Sequence, residues 1–190
     1  MNTPAHLIFG VAAFGRPDVG FVTLAAALGG LAPDLSLYVM AGVSLFVLQI
    51  PPQTVFGELY FSDAWQTVFA IDNSFFLWGA LLALGLWRRS GILIAFAGAA
   101  LLHVALDFPL HHDDGRPHFW PFSNWVFESP FSYWDRRQGA SFIAPLEGVV
   151  CFGLVVLIWR RYTNWLQRAL WTAVLALELW VIRGWFFFLG

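Results

Sequence analysis

Long apolar runs, each closed by a short polar block, dominate the chain. Phe75 to Trp87 runs unbroken to Arg88-Arg89, and Gly91 to Phe108 follows at once, which predicts two helices in a tight hairpin. Ile143 to Trp159 ends at Arg160-Arg161, and Ala169 to Leu189 is apolar apart from Glu178 and Arg183. A spanning helix needs about 20 predominantly apolar residues, with roughly 17 tolerated. Phe75 to Trp87 is short for this unless Ile71 to Ser74 join it.

The N-terminal third is less regular. His6 to Phe14 is too short to span and stops at Gly15-Arg16-Pro17-Asp18. Phe21 to Leu31 meets Pro33-Asp34, and Leu35 to Ile50 continues to Pro51-Pro52. The pattern predicts a short re-entrant or half-spanning helix, then a long helix broken near Ala32-Pro33, because proline cannot donate its backbone hydrogen bond. Irregular backbone at membrane depth persists only where protein or a water-filled cavity satisfies it, so the break hints at a site. Thr54 to Asn73 mixes Glu58, Asp63 and Asp72 with aromatics, as an interfacial segment does. His111 to Ser141 is polar yet dense in rings (Phe119, Trp120, Phe122, Trp125, Phe127, Phe131, Tyr133, Trp134), which suits a loop at headgroup level.

Composition agrees with a lipid solvent. Of the 190 residues 59% are hydrophobic and 12% charged, with a mean hydropathy of +0.67; soluble domains carry roughly 25% charged residues. The expected fold is an all-α integral membrane protein of about four to five transmembrane helices, residues 1–190 forming a single polytopic domain. The ten basic residues are all Arg and the net charge is −2, with no basic stripe to follow a phosphate backbone, so nucleic acid is not an expected partner. Cys151 is the only cysteine, which rules out an intrachain disulfide. The stretch Met1 to Phe14 lacks a basic n-region and a small-residue cleavage site, and is expected to be retained. Arg88, Arg89, Arg160, Arg161, Arg168 and Arg16 fall on one side, which the positive-inside rule makes cytoplasmic; Arg116, Arg136 and Arg137 in the long loop argue the other way.

The strongest chemical signal is His103-x-x-x-Asp107, followed by His111-His112-Asp113-Asp114 and His118. Residues four apart on a helix share a face. His111 would extend that stripe if the helix continued, but Pro109 predicts a kink or stop. Imidazole and carboxylate together suit zinc or another divalent first-row metal. Ionisable groups inside a span are expensive and usually functional. His6 and Asp34 are expected at the same depth, giving metal-capable residues from three segments. The plainer alternatives are a His103–Asp107 hydrogen bond that ties helices together, a helix N-cap at Asp34, a partnerless His6 and a solvated turn at Asp113, Asp114 and His118. Glu147, Glu178 and Arg183 could line a cavity, with mutual neutralisation of Glu178 and Arg183 the simpler expectation. Cys151 has no evident activator.

Ala5-His6-Leu7-Ile8-Phe9-Gly10, Leu31-Ala32-Pro33-Asp34, the pair His103 and Asp107, and Trp120-Pro121-Phe122-Ser123 together resemble the membrane-bound metal-dependent hydrolase family typified by the bacterial YdjM protein. The resemblance covers scattered blocks of roughly the first two-thirds, each of low specificity alone. It implies an inner-membrane location. It further implies similarity to the zinc-dependent phospholipase C and P1 nuclease group, hence phosphoester hydrolysis, with His6, Asp34, His103 and Asp107 as metal ligands. One departure stands out. Where the family carries a histidine-containing R-G-x-T-H-S segment, this chain reads Ile71-Asp72-Asn73-Ser74-Phe75. Either Asp72 and the loop histidines His111 and His112 substitute, or the site is degraded.

The expected function is thus metal-dependent hydrolysis of a lipid-like or amphiphilic substrate, with zinc the first candidate and Asp107 or Asp72 accepting the proton. The site would face the periplasm, and the aromatic loop would seat a headgroup. Two rivals remain: a membrane scaffold whose Trp-rich loop docks a membrane-protein partner, and a small transporter or metal-ion carrier.

Overall fold

A computed structural model describes residues 1–187, with side chains as far as 184; the end of the last predicted span, residues 188 and 189, lies outside the described residues. Within them the secondary structure is helical, with no strand. The helices are α1 (Thr3–Phe14), α2 (Gly20–Gly42), α3 (Pro52–Thr54), α4 (Asp63–Asp72), α5 (Phe75–Trp87), α6 (Gly91–Asp107), α7 (Ala140–Arg161) and α8 (Trp165–Phe187). Gly20–Val47, Asp63–Trp87, Ala140–Arg161 and Trp165–Gly184 are long and apolar enough to cross a membrane. The protein is an all-α membrane protein.

The short α1 is the hub. It packs against α2, α6, α7 and α8, and burial runs around it, taking in Pro4, Ala5, His6, Ile8 and Gly10. The outer helices turn large apolar side chains outward, among them Leu24, Leu28 and Leu35 on α2, Val149 and Phe152 on α7, and Leu170 and Leu177 on α8. Water would penalise such a surface and lipid does not.

Lipid gives helices no hydrophobic reason to associate, so close backbone packing over small residues has to supply the attraction. The α1–α2–α6 seam is built that way from Gly10, Ala26, Gly29, Gly30 and Ala99. A Cβ at Gly10 would fall 2.9 Å from the Ala26 carbonyl oxygen, and one at Gly30 would fall 2.6 Å from that of His6.

Two sequence expectations need correction. The helix is not broken at Ala32-Pro33: α2 runs through Pro33 to Gly42 and continues as a π-helical turn over Val43–Val47. Proline frees the Gly29 carbonyl and crowds the turn before it. The helix continues nonetheless, and the next carbonyl, Gly30, accepts a hydrogen bond from His103. Glu178 is not neutralised by Arg183. It is fully buried and accepts from Asn2 Nδ2 at 3.0 Å, whereas the exposed Arg183 lies over the Trp180 ring, 5.5 Å from its centroid.

Serine caps start the short elements. Ser62, Ser74 and Ser90 accept from the backbone of Trp65, Leu77 and Leu93. The α5–α6 hairpin closes through Arg89 at φ 51°. α6 ends at Asp107, ahead of Pro109. At one end of the bundle Arg161 donates to the Ala12 carbonyl, Tyr162 meets Thr23 at 2.9 Å, and Gly91 approaches Val22. The turns bearing Arg16, Arg88, Arg89, Arg160, Arg161 and Arg168 therefore gather at that end, and the site lies toward the other.

Candidate functional site

α6 carries the site on its buried face, where Ala99, His103 and Asp107 follow one another at helical spacing. His103 Nδ1 lies 2.7 Å from the Gly30 carbonyl oxygen. A carbonyl only accepts, so Nδ1 carries the hydrogen and Nε2 is left facing the site. Nε2 stands 3.3 Å from Asp107 Oδ2 and 3.6 Å from Asp34 Oδ1, and forms no hydrogen bond although it is buried.

His6 comes in from α1. Its Nε2 lies 3.0 Å from Asp107 Oδ1, and its ring stacks on that of His103 with centroids 3.5 Å apart. Asp107 also meets the Met1 nitrogen. One ligand atom each from His6, His103 and Asp107 falls within 4.8 Å of the others. Donors around a single zinc ion stand roughly 3–4 Å apart, so small side-chain adjustments suffice to close on one. Asp34, at the edge, is steadied by the Thr3 hydroxyl at 2.5 Å.

The loop after α6 adds His111. Its Nε2 is 3.5 Å from Asp107 Oδ2 and its Nδ1 is 2.9 Å from Asp114 Oδ2, which Trp134 Nε1 also reaches at 3.1 Å. Burial opposes a charge on His111, but Asp107 and Asp114 outweigh it and raise its pKa above the usual imidazole range. For Asp114 burial works upward, but the adjacent His111 and the hydrogen bond from Trp134 win, so its carboxyl lies below the ordinary value.

A cavity of about 480 Å³ opens over this group. Asp34, Asp107, His111 and Asp114 line it, and so do Arg116 and Tyr60. The Arg116 guanidinium lies 4.0 Å from the Phe69 ring centroid, and Nη2 donates to the Tyr60 hydroxyl at 3.1 Å.

The structure thus brings together His6, Asp34, His103, Asp107 and His111. Asp72 and His112 do not join them. Asp72 ends α4, half-buried, and is not part of the cavity lining. Once the helix has stopped before Pro109, the chain turns His112 away from His111, and its Nδ1 meets the Ser129 carbonyl at 2.6 Å. Asp113 is exposed. His118 packs between the Phe75 and Phe108 rings at 5.5 and 5.3 Å, its Nδ1 on the Arg116 carbonyl at 2.7 Å; burial pushes its pKa down to about 4.

The sequence did not point to Arg116, Tyr60 or Trp134 as site residues, although a lone Arg beside a His-Asp block was a usable signal. It named Glu147 and Glu178 as possible cavity residues but not the Asn2 that joins them. Asn2 bridges the buried Glu147 and Glu178: its backbone N–H donates to Glu147 at 2.8 Å and its Nδ2 to Glu178 at 3.0 Å. Cys151, fully buried in the core, has no role in the site.

Comparison with family models, with curated proteins and with solved structures finds no match.

Proposed function

We propose that the protein is a membrane-bound metal-dependent hydrolase acting on a phosphoester of a lipid-like or amphiphilic substrate, set in a bacterial inner membrane with its cavity toward the periplasm. One observation carries this reading. His103 Nε2, its other nitrogen already donating to Gly30, faces oxygens of Asp34 and Asp107 with no hydrogen bond of its own. The Met1 ammonium meets Asp107 at Oδ1, and the acceptors left around His103 Nε2, gathered in a buried space, need a proton or a cation between them. A His/His/Asp/Asp donor set suits a divalent cation, zinc first and manganese second.

His6, His103 and Asp107 would hold the ion, with Asp34 completing the set. When bound, such a cation supplies Lewis acidity and lowers the pKa of a water ligand toward neutrality. The rest is work for the chain. The Gly30 carbonyl fixes the His103 tautomer, as second partners of metal-binding histidines do. Thr3 orients Asp34. Asp107 is enclosed by its histidine neighbours, which leaves His111, backed by Asp114 and Trp134, as the group able to hand a proton to a departing oxygen in the cavity.

The test is the metal content of the purified protein, read together with hydrolysis of a short-chain phosphoester. Near-stoichiometric zinc or manganese, lost in His103→Asn, is the expected result. A metal-free, inert protein would favour the scaffold reading, for which the exposed Phe122, Trp125 and Phe131 of the loop offer a docking face.

A further inference from the structure

Arg116 is a buried guanidinium with an unused face. The residue is 8% exposed, its Nη1 is buried with no hydrogen-bond partner, and no carboxylate among the described residues forms an ion pair with it. The Phe69 ring lies beneath it and the Tyr60 ring and hydroxyl beside it, while the Asp114 and Asp72 carboxylates are near enough to feel its charge without forming an ion pair. Burying an unpaired charge is costly, and the contact with aromatic rings offsets only part of that cost. Arg116 nevertheless lines the same cavity as His111, Asp107 and Asp34.

We propose that Arg116, with Tyr60, is an anion clamp that receives a phosphate-type oxyanion in this cavity, either free phosphate or the phosphate of a lipid headgroup. This rests on the metal-dependent hydrolase reading. Arginine presents paired N–H donors that match phosphate oxygens, and the Tyr60 hydroxyl adds a further hydrogen-bonding group alongside. A tetrahedral anion has enough oxygens to meet Arg116 and a cation at the His103–Asp107 end together, which a planar carboxylate does less well. The carboxylates of Asp34, Asp107 and Asp114, which line the same cavity, would repel an anion while no cation screens them. Phosphate and the cation are therefore coupled: each strengthens the binding of the other by the same factor.

The experiment measures binding of inorganic phosphate to the full chain in nanodiscs by calorimetry, with and without Mn(II). Wild type is expected to bind phosphate more tightly with Mn(II) present. Arg116→Gln should weaken phosphate by about tenfold or more, the loss typical of a hydrogen bond to a charged group, while Mn(II) affinity changes little. Arg116→Lys, which keeps the charge and loses the fork, should fall between and serves as the deciding variant if Arg116→Gln does not fold. Competition with dihexanoyl phosphatidic acid separates the sources. Displacement by the lipid well below the phosphate concentration assigns the clamp to a headgroup, and equal potency assigns it to phosphate itself. Unchanged phosphate binding in folded Arg116 variants overturns the clamp, as does the absence of phosphate binding to wild type with or without Mn(II). Arg116-dependent phosphate binding in a protein that takes up no Mn(II) would retain the clamp and remove the metal reading.

Discussion

The imidazoles of His6 and His103 lie face to face, centroids 3.5 Å apart and planes 10° from parallel, although 97 positions separate them in the chain (103 minus 6). Each ring also turns a nitrogen toward Asp107, at 3.0 Å from His6 and 3.3 Å from His103. Two stacked rings sharing one carboxylate cannot both carry charge cheaply in an apolar interior. A cation held between them and Asp107 removes that conflict. Loading with zinc is therefore expected to raise the melting temperature, since a ligand at 100 times its Kd stabilises by about 2.7 kcal/mol. Chelation should reverse the gain, and His6→Asn or His103→Asn should abolish it. Melting curves that ignore both zinc and chelator would remove the cation from the argument.

The stack depends on how closely α1 and α2 approach. Gly30 faces the His6 carbonyl, and a Cβ there would fall 2.6 Å from that oxygen, so the backbones have to separate to admit it. Gly30→Ala is expected to destabilise by about 1–3 kcal/mol, the usual range for overpacking. It should also weaken metal uptake, because the Gly30 carbonyl fixes His103. Gly42, with open space around its Cβ position, supplies the control: Gly42→Ala should leave metal uptake unchanged.

Much of this was legible in the sequence where the signal was local. The apolar runs gave the helices, and the four-residue spacing placed His103 and Asp107 on one face. His6 and Asp34 were also within reach of pattern reading, as rare polar residues in apolar helices. The continuity of α2 was not. Proline usually breaks a helix, yet α2 runs through Pro33, and the carbonyl of Gly30 in the same turn meets His103 on α6. Nor could any local rule pair Glu178 with Asn2, at the opposite end of the chain. Arg116 was weighed only as a loop charge in the topology count, because nothing in the sequence says that its loop folds back over Phe69.

His118 makes the loop acid-sensitive. Burial between Phe75 and Phe108 depresses its pKa from 6.5 to about 4, aided by the nearby His111 and Arg116 charges and opposed by Asp107 and by the hydrogen bond to the Arg116 carbonyl. Between those values the unfolded chain binds the proton that the folded chain refuses, so stability rises with pH. The contribution is complete above about 6.5 and is lost as pH falls toward 4. His111, whose pKa is raised, acts in the opposite direction, so the diagnostic quantity is the difference between wild type and His118→Gln. That difference should favour wild type at pH 8 and shrink steadily between pH 6.5 and 4. Parallel loss of stability in both proteins would show that folding does not lower the His118 pKa, and would overturn the prediction.

Orientation in the membrane follows from the two ends of the bundle. The turns at Arg16, Arg88-Arg89 and Arg160-Arg161 sit together, tied by the Tyr162–Thr23 contact and by Arg168 Nε donating to the Tyr162 carbonyl at 2.7 Å. Arginines near helix ends resist translocation, so that end is expected in the cytoplasm and the cavity end in the periplasm. Arg116, Arg136 and Arg137 weigh against this by number. Arg116 is buried in the cavity wall and Arg137 is bound by Asp135 at 2.9 Å, so neither stands as an unpaired charge in solvent, although the rule reads the sequence during insertion and not the finished fold. Cys151 is fully buried, so Cys151→Ser provides a quiet background. Asp113 and Asn164 are both exposed and lie at opposite ends. Asp113→Cys should react with an impermeant maleimide in intact spheroplasts, and Asn164→Cys should react only after lysis. The reverse pattern would turn the protein over, put the His103–Asp107 site on the cytoplasmic side, and require its substrate to come from the inner leaflet.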